Sequence, residues 1–376
     1  MILYQYIEKL YDEQKEIIDH YFDADDDSII GNEREEDAST EASPPEPEPE
    51  VEDLTKDAQN LPDNQVQIPR EARTNLVSVQ ATKTASLSTP FFWHIPKCGG
   101  TTLQRLYWCM GFTIANEVGG NPKFQEKFDL GKLESFRPWT GNPGRVFNID
   151  VSTHDGIVDA HNKGFLRKQH KLVDFISTPE FQSAYTLLYS PRHKAQMFAM
   201  FRHPIERQVS KFFYLRKATW EATYNKHWQK MSLTLWSTKD RGENNWMVRN
   251  LVNKGMNEEL SPADLKLAME MVRQKFAIGL LDRYEESIRR FNILLGVDTT
   301  LPRNRQCIQE FSQTKGSNRR GEKNTGNSYS HPEAKEGSPA WRNLAKLHSF
   351  DVALYEFIEE EFERQGMLFQ GMKAVE

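Results

Sequence analysis

Lys97 opens a short run, Lys97-Cys98-Gly99-Gly100-Thr101-Thr102, in which a cation, two adjacent glycines and two hydroxyls follow one another. Paired glycines let the backbone bend so that consecutive N–H groups point inward. A helix beginning there adds unpaired donors and the positive end of its dipole, and the whole suits a phosphate or sulfate. A nucleotide-hydrolysing loop places its lysine after the last glycine, as Gly-Lys-Ser/Thr. Here the lysine precedes both glycines, which argues against ATP or GTP hydrolysis. The plain alternative is a tight turn with a helix-capping threonine. A second cluster, Arg202-His203-Pro204, carries Ser210 eight residues after Arg202. An arginine where a strand ends and a hydroxyl about two turns into the next helix can grip one phosphate from two sides, by a charge-assisted bond and a neutral one. Together the clusters describe a site for two separate phosphates. Between them lie Ser152-Thr153-His154-Asp155-Gly156 and three further histidines, His161, His170 and His193.

The elements that position these groups are legible nearby. Phe91–Ile95, Val146–Val151 and Met197–Phe201 are short aromatic or β-branched runs, and the first and last lead through a turn into a helical pattern. That is the grammar of a parallel α/β sheet, whose crevice lies beyond the strand C-termini. The C-terminal third reads as mostly helical, with apolar residues at three-and-four spacing over Pro262–Phe276, Tyr284–Leu295 and Trp341–Gln365. One domain over 90–376 is predicted, preceded by an acidic stem over 1–89: an amphipathic helix over Ile2–Phe22, then a disordered stretch that includes Pro44-Pro45-Glu46-Pro47-Glu48-Pro49-Glu50. Residues 1–60 hold 20 acidic and 4 basic side chains, net −16, so the chain's −6 leaves +10 on the remainder: a basic body with an acidic tail.

Composition narrows the classes. Three cysteines, Cys98, Cys109 and Cys307, are too few and too scattered for a disulfide framework or a four-ligand zinc site, and at most one bridge can form. No window approaches 18 consecutive apolar residues, and Met1–Tyr11 lacks the basic start and apolar core of a signal peptide. An integral membrane chain is therefore not expected.

With both clusters in view, the sequence resembles the carbohydrate sulfotransferases of the Golgi type, which include the heparan sulfate O-sulfotransferases and use 3′-phosphoadenosine 5′-phosphosulfate. The family's 5′-phosphosulfate loop is similar to His94-Ile95-Pro96-Lys97-Cys98-Gly99-Gly100-Thr101-Thr102, and its 3′-phosphate motif to Arg202-His203-Pro204 with Arg207 and Ser210. Ile278–Ser287 and Asp351–Phe357 resemble two further family stretches. The resemblance implies a nucleotide-kinase-like parallel sheet and sulfuryl transfer to a glycan hydroxyl, with the phosphosulfate as co-substrate, no metal and no nucleic acid partner. Lys97 would stabilise the departing phosphate, and Cys98, Gly99, Gly100, Thr101 and Thr102 would cradle it. Arg202 and Ser210 would hold the 3′-phosphate.

The family places a catalytic histidine or acid between the two phosphate motifs. His154 is the choice, since imidazoles titrate near neutrality, with Asp155 either orienting it or acting as base itself. His94, inside the first strand, reads as a packing or hydrogen-bonding residue and not as a ligand. A basic loop, Thr314–Asn324, resembles the segment that covers the nucleotide, which would assign Arg319 and Lys323 to the donor; an exposed basic loop is the alternative. Arg216–Trp228 and Arg241–Leu251 mix cations with Trp and could meet a sugar, or could be ordinary helix surface with Trp in the core. The resemblance also implies a Golgi lumenal setting, which would call for an apolar anchor upstream of Met1. A competing reading is a non-catalytic protein that keeps the fold to bind an anionic nucleotide or glycan.

Overall fold

The structure, a computed structural model, describes residues 54–62, 66–80, 88–121, 132–138, 142–167, 172–219, 221, 224–239, 243–312 and 334–370. In chain order the elements are α1 Leu54–Asn60, α2 Arg70–Asn75, β1 Ser88–Trp93, α3 Gly100–Met110, β2 Thr113–Ala115, β3 Ser135–Phe136, β4 Arg145–Phe147, α4 His154–Asn162, β5 Phe175–Thr178, α5 Phe181–Leu187, β6 Lys194–Phe201 and α6 Pro204–Leu215. They continue with α7 Leu233–Trp236, α8 Trp246–Val252, α9 Pro262–Lys275, β7 Phe276–Leu280, α10 Tyr284–Leu295, α11 Pro302–Ser312, α12 Pro339–Leu347 and α13 Ser349–Gln370.

The strands form a sheet in the order β3-β4-β2-β5-β1-β6-β7, parallel throughout except for β3 against β4. The α/β class and parallel sheet are as the sequence predicts, and beyond β7 the described elements are all helical. Side chains alternate across β1. Phe91 and Trp93 enter one apolar layer with Phe181, Met247 and Phe276, while Phe92 enters the other with Leu103, Phe198 and Phe291. Each fully buried aromatic contributes about 1.5–3 kcal/mol, so this strand is fixed from both faces. From β1 the chain turns one way to β2, and from β6 the other way to β7, which opens a crevice at the C-terminal ends of β1 and its neighbours.

Three expectations change. The third predicted strand stops at Phe147, because Asn148 leaves the ladder: its Oδ1 accepts from Glu134 N at 2.8 Å and its Nδ2 donates to Lys132 O at 2.8 Å. The predicted helix Trp341–Gln365 is two helices. His348 breaks it with φ −119° and ψ 28°, and Asn245 Oδ1 caps the second helix by accepting from Phe350 N and Asp351 N. The stem is not unpacked through residue 88. Ala58 of α1 and Ala72 of α2 are fully buried, and Val77 N donates to Ala195 O of β6 at 2.8 Å. The body therefore begins upstream of residue 90, as one compact unit over Glu50–Glu376. The predicted helix Ile2–Phe22 lies outside the described residues.

Two further ties matter below. Cys109 of α3 and Cys307 of α11 form a disulfide across 198 residues. Gln365 of α13 lies along the outer side of β7, accepting from Ile278 N at 3.0 Å and donating to Phe276 O at 2.8 Å. Among the described residues no helix is long and apolar enough to cross a membrane.

Candidate active site

The loop after β1 is shaped for an anion. Lys97 takes φ 67°, in the left-handed region that a side chain other than glycine rarely adopts, and Gly99 follows at φ 82°. Gly99 is the N-cap of α3, and no side chain caps that helix. Thr101 and Thr102 therefore lie in the first turn rather than capping it. Gly100 is required by close approach: a Cβ there would stand 2.4 Å from His94 Nε2. His94 lies just past the end of β1 and not inside it; its ring stacks on Phe92 with Nδ1 3.4 Å from Gln104 Nε2, and burial lowers its pKa. The residues present fit an anionic sulfate or phosphate group, with the first-turn backbone of α3 and Lys97 as the elements that would receive it.

The second turn is brought directly against the first. Arg202, just past β6, donates from Nη1 to Lys97 O at 3.4 Å and pairs with Glu206 at 3.5 Å. On α6, Glu206, Ser210 and Tyr214 follow at four-residue spacing and share one face. Lys97 Nζ sits 3.8 Å from the Tyr214 ring centroid, and the Tyr214 hydroxyl bonds Glu221. The face that carries Ser210 thus meets the lysine. Burial, and then the Arg202 charge, bring the Lys97 pKa down to about 8, against the opposing pull of Glu221.

Beneath this surface lies a charged core. Arg207, assigned by resemblance to the 3′-phosphate motif, is 1% exposed and bonds Glu243, which also takes Gln208 at 2.8 Å and Lys211. Arg207 supports the helix from below instead of facing the crevice. Asp351, buried at the start of α13, accepts from Met247 N at 3.0 Å and Val248 N at 2.9 Å. Burial raises its pKa to about 6. Cys98 is buried and free, and burial pushes its thiol up to about 11, which makes it an inert filler of the turn. His203 is packed between Trp341 and Tyr355.

His154 is the first residue of α4, held there by Thr153, whose Oγ1 accepts from Gly156 N at 3.1 Å. The preceding turn is fixed by Asp150 Oδ1, which accepts from Ser152 N at 2.8 Å and Ser152 Oγ at 2.7 Å. The imidazole is exposed, with Nδ1 3.0 Å from Ser183 Oγ on α5. That helix follows β5, whose last residue Thr178 is level with Trp93 at the end of β1. His154 and the loop after β1 therefore stand at the same end of the sheet. By contrast His161 Nδ1 donates to Leu187 O at 2.5 Å, and His193 is buried 2.6 Å from Thr89 Oγ1. Beside Ser183 the surface folds into a polar cleft of about 240 Å³, lined by Glu180, Gln182, Ser183, Arg249, Asn253 and Lys254 among others.

Other assignments separate from the site. Arg319 and Lys323 lie outside the described residues, as does His170. Of the Trp residues in Arg216–Trp228 and Arg241–Leu251, Trp228 is buried and Trp246 stacks on Trp93 at 5.5 Å, so these two rings serve the core and not a sugar, while Trp220 lies outside the described residues. The pairing of Glu243 with Arg207, of Asp351 with the Met247 and Val248 amides and of Ser183 with His154 carries no sequence signal, because the partners lie on separate elements. Tyr214, four residues after Ser210, was open to a face argument. Among the described residues no cluster of three or more His, Cys, Asp or Glu side chains could hold a metal ion.

No curated protein and no solved structure matches the chain. A model of the sulfotransferase family does match, over residues 90–358. That span takes in the turns after β1 and β6, His154 and the whole sheet apart from the first two residues of β1, and the chain belongs to the sulfotransferase family.

Proposed function

We propose that the protein transfers a sulfuryl group from 3′-phosphoadenosine 5′-phosphosulfate to a hydroxyl of a glycan, in an oxidising lumenal compartment. The observation that carries the reading is the contact between the two turns: Arg202 reaching Lys97 O, with Lys97 against the face of α6 that bears Ser210. When bound, the nucleotide supplies the activated sulfuryl group and a phosphate leaving group. Lys97 stands where negative charge would grow on that phosphate. A preorganised donor of this sort contributes about 2.7–4 kcal/mol in the transition state, well above the roughly 0.3–1 kcal/mol of a helix dipole, so the lysine dominates the loop. Arg202 and Ser210 hold the 3′-phosphate. His154 takes the proton of the acceptor hydroxyl. The polar cleft beside Ser183 favours an acceptor rich in hydroxyls. The Cys109–Cys307 bridge favours the lumenal setting, since structural disulfides persist where thiols are not kept reduced.

Transfer of radiolabelled sulfate from the donor to a panel of glycans tests this reading. Lys97→Ala lowers transfer by about two to three decades with unchanged thermal unfolding. A wild-type protein that binds the nucleotide and transfers nothing to any glycan would leave only the binding role.

A further inference from the structure

His154 is not held by its neighbour Asp155. Its Nδ1 meets Ser183 Oγ at 3.0 Å, and Ser183 Oγ meets Glu180 Oε2 at 3.4 Å, so three side chains from two elements form one line. The direction of the line follows from valence. An ionised carboxylate only accepts hydrogen bonds, and a serine hydroxyl has a single proton to give. With that proton directed to Glu180, Ser183 offers His154 only a lone pair. Nδ1 must then carry the ring proton, and Nε2 is left with the basic lone pair. Each end of the line is anchored. The turn before His154 is closed by Asp150 and Thr153, and Glu180 N donates to Thr178 Oγ1 at 3.0 Å, at the end of the strand beside β1.

We infer that Ser183, backed by Glu180, is a positioning residue that fixes His154 in the Nδ1–H tautomer and aims Nε2 at the acceptor. The inference rests on the reading of His154 as the base. In the transfer, the acceptor oxygen bonds to sulfur while its proton passes to Nε2. The bond between sulfur and the donor's phosphate oxygen breaks, and its electron pair leaves with the phosphate. The resulting imidazolium keeps its Nδ1–H bond to Ser183, and Ser183 itself gives up nothing. Glu180 adds a negative charge one hydroxyl away from the ring that becomes positive.

The line makes opposite demands on two conservative changes. Ser183→Thr keeps a hydroxyl at the same place. Glu180→Gln offers an amide N–H to Ser183 Oγ, which frees the serine proton to turn toward Nδ1 and favours the wrong tautomer. The test measures kcat, KM for the donor and thermal unfolding of the full chain for Ser183→Ala, Ser183→Thr, Glu180→Gln and His154→Ala, with radiolabelled donor and a glycan acceptor. Ser183→Ala and Glu180→Gln are each expected to lower kcat about tenfold, roughly the loss of one oriented hydrogen bond, with donor KM and thermal unfolding unchanged. Ser183→Thr is expected to restore most of the rate. Full kcat in Ser183→Ala beside an inactive His154→Ala would overturn the positioning role and leave the base in place. Loss of rate with a lowered unfolding temperature, not recovered by Thr, would overturn it as well, because it would make Ser183 a tie between α4 and α5. An unimpaired His154→Ala would remove the base and the positioning role together.

Discussion

Arg202 and Lys97, at the ends of two neighbouring strands, are joined through the backbone: the guanidinium of Arg202 donates to the carbonyl of Lys97 at 3.4 Å. The bond crosses from the turn after β6 to the turn after β1. It also helps to hold Lys97 at its positive φ, and it sets a second positive charge close to the ammonium.

That proximity has a kinetic signature. In the proposed reaction Lys97 must be protonated to stabilise a departing phosphate, and burial with the Arg202 charge brings its pKa down to about 8. The kcat/KM profile is expected to fall as pH rises through about 8, roughly tenfold per unit beyond it. Lys97→Arg is expected to be slower at neutral pH and to lack this alkaline limb, since guanidinium stays charged. A profile flat to pH 10 in the wild type would contradict the assignment.

Arg202→Ala is expected to weaken binding of a nucleotide that carries a 3′-phosphate by about ten- to a hundredfold, the cost of a lost charged hydrogen bond, and to change its dephospho analogue far less. Ser210→Ala is expected to show the same selectivity at smaller size. Calorimetric titration with both nucleotides reads it out, and equal weakening for the two would mean that Arg202 acts only on the loop.

Glu243→Gln tests the charged core. Arg207 is buried, and its carboxylate partner is held well below the usual range by Arg207 and Lys211 against the cost of its own burial. A carboxyl with a depressed pKa stabilises the fold above its unfolded pKa, and that contribution is lost as pH falls through the acid range. Removing the charge leaves a buried cation and is expected to destabilise the protein by about 3–5 kcal/mol at pH 7, with a smaller difference at pH 3. Urea unfolding at the two pH values measures both.

Cys109→Ser or Cys307→Ser is expected to cost about 2–5 kcal/mol, because the bridge closes a long loop in the unfolded chain. Reductant should produce the same loss in the wild type and none in either variant.

What could be read in advance was local. The strand–turn–helix passages at Trp93–Gly100 and Phe201–Pro204 announce themselves within a dozen residues, and Tyr284–Leu295 shows its helical spacing unaided. β2 and β5 are three and four residues long, too short to display a period. Asn245 capping α13, Arg207 meeting Glu243 and Cys109 finding Cys307 are encounters across 36 to 198 residues, produced by the sheet order. His154 stood out by its place after a strand, but the line through Ser183 needed α5 beside α4.

The side-chain amide of Gln365 occupies the outer hydrogen-bonding positions of β7 as a further strand would. An outermost parallel strand with the sequence Phe276-Ala277-Ile278-Gly279-Leu280 is apolar throughout and, uncovered, offers a template for a second chain. One glutamine on α13 therefore doubles as a guard against self-association. Until α13 docks, the sheet is open at this end, which makes a chain cut short of Gln365 prone to aggregate even though Lys97, His154, Arg202 and Ser210 are all present.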